Sequence, residues 1–186
     1  MRKLSFRPAL TLRGRKFKGL RGWAGKPLHP ALTDIPVGAY MLVGAFDLIS
    51  FLGRHQAWAR DFYRAATFAI IGGAIVSVPT ALTGFWDWWK STEKGTQARR
   101  TVNAHGWTMV TVTVLVLVDI ALRWFRYDSE AHTPGCVLAL SLVAAILTIL
   151  GGTIGGSITY DYGFNVETAG DHPVWHQSEV DVFHEG

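Results

Sequence analysis

Charge is scarce in this chain: Asp, Glu, Lys and Arg make up 17% of its 186 residues, while 49% are apolar. Cysteine is scarcer still. Cys136 stands alone, which excludes an internal disulfide and any multi-cysteine zinc or iron–sulfur site, and no Cys-x-x-Cys-His exists to tether a haem covalently. Gly-x-Ser-x-Gly, a Walker-type Gly-Lys-Ser/Thr and His-Glu-x-x-His are all missing, so hydrolase and phosphoryl-transfer chemistry find no support. A net charge of +4 in so apolar a chain does not describe a nucleic-acid-binding module.

What the chain has instead is long apolar blocks. A spanning helix needs roughly 20 mostly apolar residues, because the hydrocarbon core is about 30 Å thick. Four blocks qualify, at about 31–53, 63–86, 104–124 and 135–158, with Asp34 near the start of the first and Asp47 and Asp119 as the acids deeper inside. None shows the regular polar face of a soluble amphipathic helix. The expected fold is all-α, an integral-membrane four-helix up-down bundle over residues 27–167. A basic segment (1–26) precedes it and an acidic tail (168–186) follows.

The charges between blocks set the expected orientation. Thirteen Lys and Arg fall in residues 1–26 and the 87–103 loop, against five in the two opposite connections. The positive-inside rule then places both termini in the cytoplasm. Residues 1–26 contain no acid and no apolar run long enough for a signal-peptide core, so no cleavage is expected. Trp58, Phe85, Trp86, Trp88, Trp89, Trp107, Trp124 and Phe125 mark the block ends as an interfacial belt does.

The polar residues in and beside the spans carry the functional expectations. Alternating spans bring His29, Asp87 and His105 to one membrane depth, with the first and third helices diagonal across the core. Two neutral imidazoles so placed suit axial ligation of haem b, or of a single metal ion with Asp87 as a further ligand. Hydrogen bonding at a helix end is the plainer reading, and proton relay a third. Asn103 is expected to cap the third helix. The closing His172–His176 pair is a weak metal signal, since Pro173 disfavours a helix there.

Asp119 has Arg123 four residues on as an ion-pair partner. Asp47 has none within a turn, and Arg64 is the expected one. Unpaired, either acid is a proton or ligand site, because an intramembrane charge is costly. Gly151/Gly155 and Gly152/Gly156 are expected to admit a close helix neighbour. Both halves have a histidine opening a span and an aspartate late in it (His29 with Asp47, His105 with Asp119), but with no wider similarity no duplication is read from this.

The run His29-Pro30-Ala31-Leu32-Thr33-Asp34-Ile35-Pro36-Val37-Gly38, followed by Asp47, resembles the opening of the bacterial membrane family catalogued as domain of unknown function 2231. Gly84-Phe85-Trp86-Asp87, Asn103-Ala104-His105, and Gly155-Gly156 with Tyr160 and Gly163 continue the resemblance over about 27–167. Asp161 stands where a basic or neutral residue is expected, which speaks against an anion-binding turn. The resemblance implies a four-helix domain of the bacterial inner membrane, with His29, Asp47, Asp87 and His105 as signature positions and no established activity. The resemblance also implies electron-transfer surroundings by analogy, since members sometimes occur beside redox domains such as Rieske proteins. The combined expectation is a small non-enzymatic membrane subunit of redox or respiratory machinery, in contact with the lipid bilayer and with other subunits or itself. A cofactor-free accessory or scaffold subunit is the alternative, and a proton-coupled carrier using Asp47 and Asp119 the third reading.

Overall fold

The computed structural model describes Leu20 and residues 27–164, so the basic segment and the acidic tail with its histidines lie almost wholly outside the described residues. Within them the chain forms four α-helices: α1 (Leu28–Leu52), α2 (Ala59–Ser91), α3 (Gln97–Arg126) and α4 (Gly135–Tyr160). The shortest has 25 residues. At 1.5 Å per residue that is about 37 Å, more than the hydrocarbon thickness. Large apolar side chains such as Phe68, Ile75, Leu82, Val114, Ile146 and Ile149 point outward, as the lipid-facing surface of a membrane domain requires.

α2 and α3 run past their apolar blocks. The cap of α3 is Thr96, whose hydroxyl accepts from the Arg99 amide at 3.2 Å. Asn103 lies a turn and a half inside the helix, and its side-chain oxygen accepts from the Trp88 indole N–H at 2.7 Å. The expected cap at Asn103 is thus corrected: the polar turns before the apolar block are helical too, held by Arg99 stacked on Trp88 at 3.8 Å.

α1 starts at Leu28, so Pro36 lies within it and leaves the Leu32 carbonyl without its helical donor. Thr80 of α2 stands beside that carbonyl, its hydroxyl 3.3 Å away and shared with the Val76 carbonyl. Thr80→Val should therefore cost about 1 kcal/mol, the usual net worth of one hydrogen bond. Thermal unfolding in detergent measures it, and an unchanged midpoint would mean the proline's carbonyl is served elsewhere.

α1 packs most extensively on α2, α3 on α4, and α1 also on α4, while α2 and α3 are the loosest neighbours. The close contacts run through glycine. A Cβ on Gly73 would meet Ala39 and Tyr40 at 2.9 Å, and one on Gly44 would meet Ala145 at 3.2 Å. Gly151 faces Met109 and Gly155 faces His105, whereas Gly152 and Gly156 have nothing within 4 Å. Only the first of the two small-residue pairs is a packing face. The apolar core is small, built from Tyr40, Val43, Ala66, Ile70, Val112, Val116 and Ala144.

The two hairpins are built alike. A shift of 76 residues carries Asp47 onto Arg123. The same shift carries His29 onto His105 and the buried positions Pro36, Tyr40 and Val43 onto buried Val112, Val116 and Asp119. It accounts for every buried residue of α3. A parallel shift takes Ala66, Ile70, Gly73 and Thr80 of α2 onto Val137, Ser141, Ala144 and Gly151 of α4, all of them buried. Buried positions of α1–α2 and α3–α4 thus correspond in order, although the sequence gives no convincing repeat.

Candidate functional site

Polar chemistry gathers at two places along the bundle. At the first, His29 from the start of α1 and His105 from α3 lie edge to face, ring centroids 6.4 Å apart and planes at 82°. Each is fastened to the partner helix of its own hairpin. His29 Nδ1 is 2.9 Å from the Thr80 carbonyl, and His105 Nδ1 is 2.9 Å from the Gly151 carbonyl. A carbonyl only accepts, so each Nδ1 carries a hydrogen, and a neutral ring then leaves Nε2 bare.

The repeat extends to what lies against each ring. Gly84 is four residues after Thr80 and Gly155 four after Gly151, one turn further along the same helix face. A Cβ on Gly84 would fall 2.6 Å from His29 Cε1, and one on Gly155 would fall 3.4 Å from His105 Cε1. Each hairpin thus supplies the same half-site: a histidine, a carbonyl that orients it, and a glycine that makes room for it.

Asp87, expected at the same depth, is buried near the end of α2, and its Oδ1 accepts from the Leu20 amide at 3.1 Å. Among the described residues no three His, Cys, Asp or Glu side chains converge as ligands for a metal ion. The two histidines are brought together, and Asp87 is engaged with the segment that precedes α1.

The second place lies one long helix run away. Arg123 is the largest fully buried side chain of the described residues. Its Nε donates to Asp119 Oδ1 at 2.8 Å, Nη2 to Asp47 Oδ2, and Nη1 to Thr67 Oγ1 at 3.2 Å. Asp47 also accepts from the Thr133 hydroxyl at 2.9 Å. Thr133's amide in turn donates to Ser50 Oγ, which donates to the Ala59 carbonyl. This cluster ties α1, α2, α3 and the α3–α4 connection together. The i,i+4 pair of Asp119 with Arg123 agrees with expectation. The partner expected for Asp47 does not: Arg64 lies over the Tyr127 ring at 5.3 Å, and Arg123 takes its place. Asp47 and Arg123 occupy equivalent positions of the two hairpins and have opposite charge, a relation that a search for like residues passes over.

A family model described as "Predicted membrane protein (DUF2231)" matches residues 25–168. No curated protein and no solved structure matches the chain.

Proposed function

The chain belongs to the DUF2231 family of predicted membrane proteins, and from that premise we propose that it is a small subunit of redox or respiratory machinery that holds haem b between His29 and His105. Its place is the bacterial cytoplasmic membrane, as an up-down bundle with both termini in the cytoplasm and other membrane subunits as its partners. The excess of Lys and Arg in residues 1–26 and 87–103 supports that orientation.

The observation that carries the reading is the separation of the two rings. With their centroids 6.4 Å apart, His29 and His105 would hold haem b as a pair of nitrogen donors without a covalent link. Haem so held supplies one-electron exchange. The protein's part is to fix each imidazole by its Nδ1–H bond to Thr80 or Gly151, which sets the tautomer and strengthens Nε2 as a donor. Asp87 accepts from the Leu20 amide through Oδ1.

The test is a reduced-minus-oxidised visible spectrum of the detergent-purified protein. The expected result is a Soret and a sharp alpha band in the wild type, lost in His29→Ala and in His105→Ala with helical content retained. A flat spectrum from well-folded wild-type protein overturns the reading and leaves a cofactor-free accessory subunit.

A further inference from the structure

The cluster around Arg123 does not balance its charge. Asp47, Asp119 and Arg123 are exposed by 0%, 1% and 1%, so two carboxylates share one guanidinium out of reach of water. Arg123 is paired with Asp119 at 2.8 Å and with Asp47 through its other nitrogen. Among the described residues, Arg123 is the arginine paired with either acid. Arg60 donates to the Asp128 carbonyl, Arg64 lies over Tyr127, and Arg126 pairs with Glu130. The titratable groups of α4 are Cys136 at its start and Tyr160 at its far end, both exposed. A net negative charge left unbalanced in a low-dielectric interior is costly, and a carboxyl group escapes the cost by binding a proton.

We propose that Asp47, Asp119 and Arg123 form a binding site for one exchangeable proton, carried by Asp119. The hydrogen bonds choose between the two acids. Asp47 accepts from two separate elements, the Arg123 guanidinium and the Thr133 hydroxyl. Asp119 has only Arg123, through one good bond to Oδ1 and a long 3.4 Å contact at Oδ2. Oδ2 is therefore the oxygen that takes the proton.

A second observation points to the same place. Tyr63 is completely buried, its ring 5.4 Å from the Arg123 guanidinium, and its hydroxyl has no hydrogen-bond partner. A buried hydroxyl without a partner marks a position for water or for a relayed proton. A cleft of about 350 Å³ between α2 and α3, with Phe68, Ile71 and Ile120 as well as Thr67 in its wall, reaches Arg123. The proton site stands independently of the histidine pair, which lies at the other end of α1.

Infrared absorption of the full-length protein in lipid nanodiscs, recorded in H2O and D2O near neutral pH, tests it. The wild type is expected to show a protonated carboxylic C=O stretch that shifts down in D2O. Asp119→Asn should lose it while Asp47 and Arg123 remain paired and the fold stands. Asp47→Asn should also lose it, because the remaining Arg123–Asp119 pair is already neutral. Absence of the band in the wild type overturns the proposal, as a bound cation or two ionised acids would give. So does a band that persists in Asp119→Asn, which places the proton elsewhere, or one that persists in Asp47→Asn, which removes charge balance as its cause.

Discussion

Replacing Arg123 by leucine is expected to destabilise the protein by roughly 3–5 kcal/mol, the usual consequence of removing one partner from a buried ion pair. Arg123 connects Asp47 on α1, Thr67 on α2 and Asp119 on its own helix. Without it Asp47 keeps only Thr133, and both carboxyl groups stay buried without a counter-charge. The reference is Arg126→Leu one turn on. Its ion pair with Glu130 spans 3.5 Å between side chains 48% and 26% exposed, so its loss should stay within about 0.5 kcal/mol. Thermal unfolding in one detergent ranks the variants. The double change Asp47→Leu with Arg123→Leu should recover much of the stability lost in the single variant, since apolar residues often replace a buried pair without penalty. A double variant no better than Arg123→Leu would place the stabilisation in the bonds to Thr67 and Asp119, not in the pair with Asp47.

The apolar blocks made the four helices legible, because lipid demands a long uninterrupted run and little else mimics one. The same logic exposed His29, Asp47, Asp87, His105 and Asp119, each out of place in an apolar setting. Partner choice was less legible. Asp119 with Arg123 follows from spacing within one helix, but Asp47 with Arg123 depends on which faces of α1 and α3 meet. Helix ends were the least legible. Thr96, not Asn103, caps α3, because Arg99 and Trp88 stabilise polar turns that hydropathy alone assigns to a loop.

The correspondence between the buried positions of the two hairpins was hidden by their chemistry. Matching aspartate with aspartate pairs Asp47 with Asp119, which is a turn out of register with the histidines. The true register puts Asp47 on Arg123 and Val43 on Asp119. Like charges facing each other at equivalent positions would repel, whereas opposite charges bind the two hairpins together. At the histidine end no such conflict arises, because two neutral imidazoles tolerate each other, and the same residue stands at both positions.

The equivalence of the half-sites is unequal in tightness, and this gives the second large expected effect. Alanine is better than glycine inside a helix by about 1 kcal/mol, so propensity alone favours Gly84→Ala and Gly155→Ala equally. Packing separates them. At Gly84 the new methyl would lie 2.6 Å from His29 Cε1 and 2.9 Å from Nδ1, so the ring must move and its 2.9 Å bond to the Thr80 carbonyl must break. That overpacking costs on the order of 1–3 kcal/mol and exceeds the propensity gain. At Gly155 the methyl meets His105 Cε1 at 3.4 Å, a contact that a few tenths of an ångström relieve. Gly84→Ala should thus lower the unfolding midpoint and, where the histidine pair holds haem, abolish most of the alpha-band amplitude. Gly155→Ala should keep most of that amplitude and match or exceed the wild-type midpoint. Measuring both variants side by side decides the matter. Equal losses at the two positions would mean that the glycines are needed for an incoming group between the rings, not for the rings themselves.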